Sequence, residues 1–221
     1  MNFKLVVLLG AVLAAGILLG TASSQDSPTK PAGGDASATG EDYSPIDMSK
    51  IDMQKMMEAY FAVGKLGKFH KRLEYFLGKW DTETQISMPG APPMPATKGT
   101  AEYTWLLEGR WLQGRSVGTM MGRPAEYVSI LGYDNHRKKY MSARFSSLDT
   151  SLTTSTGAIS RDGSIIDLYF QLDEPGTGEI AKNARSSYRI IDANKFVVDV
   201  YDLAMAGMDN KVLTFTYTRS K

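Results

Sequence analysis

Leu131-Gly132-Tyr133-Asp134-Asn135-His136-Arg137-Lys138-Lys139-Tyr140 is a polar turn between two runs in which apolar and polar side chains alternate. A period of two marks a half-buried strand, because successive side chains leave opposite faces of a pleated backbone. Asp134 and Asn135 supply the turn, since both side chains bond nearby backbone groups. The stretch therefore reads as a hairpin near the middle of the chain.

The same pattern repeats on both sides of it. Trp80, Thr82, Thr84, Ile86 and Met88 alternate with Asp81, Glu83, Gln85 and Ser87. Proline-rich residues 89–95 then form a long loop. Further strands are expected at 101–107, 111–119, 126–133, 140–145, 152–160, 165–172, 180–191, 196–203 and 212–219. Asp162-Gly163 is a strong hairpin signal among the turns between them. About ten strands with short connections leave no room for crossover helices, so the sheet is an antiparallel meander. Ten strands either close or expose edges, and an up-and-down barrel removes the edges. A two-sheet sandwich is the alternative, and the absence of a Greek-key-length connection favours the barrel.

Ahead of the strands the composition changes three times. Lys4, the apolar run 5–20 and Thr21-Ala22-Ser23-Ser24 follow the order of a secretory signal, so residues 1–24 read as a cleaved signal peptide. The other reading is a retained anchor, although 16 apolar residues are short for a span of roughly 20. Residues 25–50 read as a disordered linker, rich in Asp, Ser, Gly, Ala and Pro over 25–45. Residues 51–77 read as a helical segment capping a barrel domain at 78–221. In it Asp52 or Ser49 caps a first helix bearing Met53, Met56, Met57, Tyr60 and Phe61. Gly64 and Gly67 interrupt it, and a second short helix carries Phe69, Leu73, Phe76 and Leu77. The Met and aromatic stripe reads as a lid on the core, or else as a promiscuous binding face.

The chain has no cysteine, which removes thiol nucleophiles, zinc–thiolate sites and disulfides. Loss of residues 1–24 leaves 24 basic against 24 acidic residues, with no electrostatic footprint for nucleic acid or anionic lipid. The expected location is periplasmic or extracellular, with no membrane span after cleavage.

Gly78-Lys79-Trp80 opens the first strand after a helix, as Gly-x-Trp does in lipocalin-like barrels, and Arg219 lies on the last strand where such barrels place a base over that Trp. With them come His70, Leu73, the run Leu107-Glu108-Gly109-Arg110-Trp111-Leu112, and residues 131–135 with Lys139 and Tyr140. This ordered set resembles the family called domain of unknown function 1579, over residues about 65–219. The resemblance implies a lipocalin-like β-barrel, frequent in exported bacterial proteins, and no established activity. It also gives Gly78, Trp80, Arg219, Gly132, Asp134 and Asn135 structural roles. Arg144 and Ser146 stand where the family commonly has Trp and Asp, and Arg123-Pro124-Ala125-Glu126 replaces a more usual Gln-Pro-Phe-Glu.

Candidate chemistry is sparse. His136 beside Asp134 could pair as base and carboxylate, but turn chemistry explains both. His70 reads as a pin between helix and barrel rim, or as a ligand or base. No catalytic motif, cofactor motif or ligand-spaced metal cluster is present. Arg115, Arg144 and Arg185 lie within strands among small or polar neighbours. If inward, they need acceptors, water or an anionic ligand; otherwise they face solvent. The pocket candidates are therefore Arg115, Arg144 and Arg185, with Tyr103, Trp105, Tyr127, Tyr133, Tyr140 and Tyr201 as walls. The expected function is non-enzymatic binding of a small apolar or anionic molecule. An envelope-associated interaction module working through the Met-rich helix is the alternative, and a hydrolase or isomerase the third reading.

Overall fold

Each of the ten expected alternating runs becomes a strand, and each strand pairs with its chain neighbours. The computed structural model describes residues 47–87, 94–204 and 211–221. The expected signal peptide, most of the linker, most of the 89–95 loop and the turn at 205–210 lie outside them. The strands are β1 (Gly78–Ile86), β2 (Thr97–Leu106), β3 (Trp111–Met120), β4 (Arg123–Asp134), β5 (Lys139–Ser146), β6 (Thr153–Ile159), β7 (Ile165–Glu174), β8 (Glu179–Asp192), β9 (Lys195–Asp202) and β10 (Lys211–Arg219). They form a closed, antiparallel, up-and-down barrel in which β10 returns to pair with β1. Among the described residues no helix is long and apolar enough to cross a membrane.

The closing seam sets Trp80 opposite Arg219. The Arg219 guanidinium lies 4.2 Å from the buried indole's ring centre and donates to the carbonyls of Leu77 and Tyr75 at 2.9 and 3.0 Å. Trp80 Nε1 donates to Phe76 O at 2.7 Å. One cation thus holds the last strand, the first strand and the segment before it. Gly78 makes the corner at φ +100°, a conformation that costs a side-chain-bearing residue, and a Cβ there would crowd Arg219 Nη1.

That preceding segment closes one barrel end. It comprises α2 (Lys68–Arg72) and the 3₁₀ turn Leu73–Phe76, the latter burying Leu73 and Phe76. Phe69 stacks on Tyr133 at 4.4 Å between ring centres, and Tyr140 Oη donates to Phe69 O at 3.0 Å. Tyr75 Oη bonds the carbonyls of Asp192 and Lys195, and Arg72 bonds that of Gly163. Two hairpin tips thus receive donors from the plug, and the β4–β5 hairpin donates to it through Tyr140.

The first helix, α1 (Met53–Val63), departs from the expectation of a lid. Asp52 caps it, accepting from the amides of Gln54 and Lys55 at 3.1 Å, but it buries no residue. Tyr60 is 63% exposed and Phe61 67%. The Met and aromatic spacing is helical, yet Gly64 ends the helix before it reaches the core.

In the central turn Asp134 Oδ1 accepts from the amides of His136 and Arg137 at 2.8 and 2.9 Å, and His136 is exposed. Asn135 does not bond locally: its amide donates to the carbonyls of Val63 and Lys65 at 2.8 and 2.7 Å. Gly132 lies under the Trp111 ring, where an added Cβ would sit 2.4 Å from a ring carbon.

Arg219→Gln should lower the unfolding free energy by about 2–4 kcal/mol, since it loses the stacking and leaves two carbonyls without their donor. Urea denaturation with an unchanged slope would register it. Gly132→Ala should cost about 1–3 kcal/mol, because the indole must shift to admit the methyl group. An unchanged midpoint would mean that Trp111 yields freely.

Candidate functional site

The period of two assigns each strand residue to the inside or the outside, and the inside is layered. Next to the plug, Leu73, Phe76, Trp80, Leu112, Tyr140 and Phe196 belong to a large apolar cluster. At the far end, Phe170, Ala184 and Val200 form a second, smaller one, with Leu172, Val212, Leu213 and Phe215 against it. Between them lies a polar waist lined by Ser116, Ser129, Ser186, Tyr127, Tyr188 and Arg144. This waist encloses about 70 Å³ of open space. A buried water needs roughly 10–15 Å³ by this measure, so the waist holds a few waters or a group of a few heavy atoms.

Arg144 is the waist's half-buried cation; Lys98, also on the waist's lining, is exposed. Arg144 stands mid-strand on β5, opposite Ser129 of β4 and Thr153 of β6. Its guanidinium lies 6.0 Å from the centre of the Phe170 ring. No acidic residue lines the waist, and Arg144 makes no ion pair among the described residues. Asp149, whose field it feels, turns its oxygens to Ser151 and Ser146.

The phenols around it are neutral donors. Burial pushes the Tyr217 hydroxyl up to about 12 and raises Tyr103 well above the usual phenol range; the two hydroxyls are hydrogen-bonded to each other. Burial also raises Tyr188 and Tyr127, and the positive charge of Arg144 offsets this only in part. The waist's phenols therefore stay protonated at neutral pH.

Of the nine pocket candidates, only Tyr103, Tyr127 and Arg144 line this waist. Arg115 faces solvent and pairs with Glu126 at 2.6 Å. Arg185 lies on the outer face too, stacked 4.4 Å over Tyr201, with Asp167 at 4.0 Å. Both arginines are corrected from pocket to outer wall, while Tyr201, beneath Arg185, borders the open mouth of the lumen. Tyr133 and Tyr140 do point inward, but they seal the plugged end. Trp105 packs at that end as well, beside His70. Tyr188 and Tyr217, which also line the waist, were not among the candidates. Tyr217 is legible in retrospect, two residues before Arg219 on the same strand face.

A family model described as protein of unknown function DUF1579 matches residues 65–219. The chain belongs to that family. No curated protein matches it in sequence. Solved structures similar to it include Rv2717c from M. tuberculosis, with 18% identity, 71% of this chain and 100% of that one covered, and a TM-score of 0.47. The S-type phycobiliprotein lyase CPES from Guillardia theta is similar at 12% identity over 73% and 97% of the two chains, TM-score 0.47. A redesigned β-barrel, b11L5F_LGL, follows at 12% over 68% and 96%, TM-score 0.36. At these scores the likenesses carry no information about chemistry.

Among the described residues no group of His, Asp or Glu is placed to hold a metal ion. His70, 6% exposed, works as a pin: its Nδ1 accepts from Gly67 N at 3.1 Å and its ring bonds the Tyr133 backbone. Burial holds it below its ordinary 6.5, Arg110 adds to this, and the Tyr133 bond opposes both. The folded chain thus binds fewer protons here than the unfolded chain. The contribution is intact above pH 6.5 and is lost as the pH falls from there through the lowered value. Urea midpoints measured at pH 7.5 and 5 should fall further for the wild type than for His70→Gln. Equal losses would place the acid sensitivity elsewhere.

Proposed function

We propose that this DUF1579 barrel is a non-enzymatic binding protein that takes a small molecule into its lumen from the end opposite the plug. The observation that carries this reading is the asymmetry of the lumen. One end is packed solid with aromatic side chains, and the other leads through an apolar mouth to a polar waist with an unpaired cation. Binding is favoured over catalysis because the waist's phenols are held above their ordinary range and the mouth's Lys182 and Asp202 are engaged with each other. A general base or acid works best with a pKa near the working pH. The order of residues 1–24 supports an exported setting, periplasmic or extracellular.

A second reading, an envelope-associated interaction module, is supported by α1, which presents Tyr60 and Phe61 without a covering partner among the described residues. Native mass spectrometry of the protein purified from its own host discriminates between the two. The expected result is a bound small molecule in stoichiometric amount, released on denaturation. A clean ligand-free protein, or one recovered with a protein partner on α1, would overturn the lumen reading.

A further inference from the structure

We infer that the ligand is an amphiphilic organic anion, bound head-first with a single carboxylate-like group on Arg144 and its apolar body in the mouth. The inference rests on the binding reading above and names the ligand class for the same lumen.

Charge comes first. A guanidinium inside a barrel loses hydration and must regain acceptors, or its burial is costly. The waist offers it neutral hydroxyls but no acid. The phenols stay protonated, so they donate to an arriving anion and do not compete with it for the cation. A planar guanidinium matches a carboxylate with two parallel hydrogen bonds.

Shape comes second. The waist's open space of about 70 Å³ admits a head group but not a whole organic ligand. The adjoining mouth encloses about 350 Å³ and shares Arg144 and Met120 with the waist. Its walls are apolar, with Ile86, Phe170, Leu172 and Leu213 among them. Of the mouth's charged residues, Lys182 Nζ lies 2.9 Å from Asp202 Oδ2, and Glu174 Oε1 accepts from Gly176 N in the turn beyond β7, which leaves Arg144 to face the ligand. A neutral apolar ligand would leave Arg144 uncompensated, and a bare inorganic anion would leave the mouth unfilled. A charged head on an apolar body satisfies both.

Calorimetric titration of the full chain with decanoate, decan-1-ol and decyltrimethylammonium tests this, since the three share a tail and differ in head charge. Decanoate should bind about tenfold or more tighter than the alcohol, and the cation should not bind. Arg144→Gln should lose about tenfold or more in decanoate affinity while the alcohol is unaffected, and Arg144→Lys should retain part of it. Ligand-free Arg144→Gln should melt no lower than wild type, because an unpaired cation has been removed; this separates lost binding from lost folding. Equal binding of alcohol and decanoate, insensitive to Arg144→Gln, would overturn the anion assignment and leave the binding reading standing. If none of the three binds, the assignment also falls. The native mass spectrum then decides whether the lumen reading falls with it.

Discussion

The guanidinium of Arg219 ties together the seam at which this barrel closes. β1 and β10 are distant in sequence, and nothing in the meander itself compels them to meet. Arg219 supplies a reason at the point of contact: it covers the Trp80 indole and bonds two carbonyls of the turn leading into β1. Each partner is useless without the others. The stacking needs a buried indole, and the indole is buried only when Phe76 and Phe196 pack around it. The carbonyls are presented only because Gly78 turns the chain with a positive φ.

Sealing one end so thoroughly assigns the rest of the lumen its character. Large apolar side chains fill the plugged half to contact, and the waist follows where side chains become serine-sized or end in hydroxyls. On the neighbouring strands β5 and β6, Ser142 and Ser155 meet at 2.8 Å and satisfy each other. Polar atoms on the outer wall are handled differently. Asp199 faces outward yet is covered by Arg189 at 2.7 Å and Thr214 at 2.9 Å, a cross-strand network that satisfies its acceptors. Arg144, on the inner side, has no such ion pair among the described residues, whereas Arg115, Arg185 and Arg189 on the outer wall each have a carboxylate within 4.0 Å.

Strand order and the seam were readable because alternation and Gly-x-Trp are local signals. The side each arginine faces was not. Arg115, Arg144 and Arg185 all sit among small or polar neighbours, and that environment is shared by an outer wall and a polar lumen. Counting in steps of two from a known inward residue would settle it, but bulges interrupt the count. One falls between Ile190 and Asp192, so Arg185 cannot be placed by counting back from the turn after β8. Depth along the barrel was equally hidden: Tyr133, Tyr140 and Tyr127 share the inward side, yet only Tyr127 reaches the waist. Helical spacing in α1 said nothing of whether a core lay within reach. Gly64 ends that helix short of one.

The seam also fixes the order in which the molecule can be assembled. Nine of the ten strand pairings join neighbours along the chain and need only short loops to close. The tenth joins segments 139 residues apart, as in the bond from Ser220 to Asp81. Bringing such distant ends together from an unfolded chain costs about 4 kcal/mol in the logarithmic part of the loop entropy alone. Stepwise hairpin growth divides that cost into small increments, and only the last leaves two strand edges facing each other across a gap. Until Arg219 has emerged and crossed it, the polypeptide is a curled ribbon with adhesive margins, exposed to wrong partners. The C-terminal strand is thus both the latch of the finished barrel and the timer of its making.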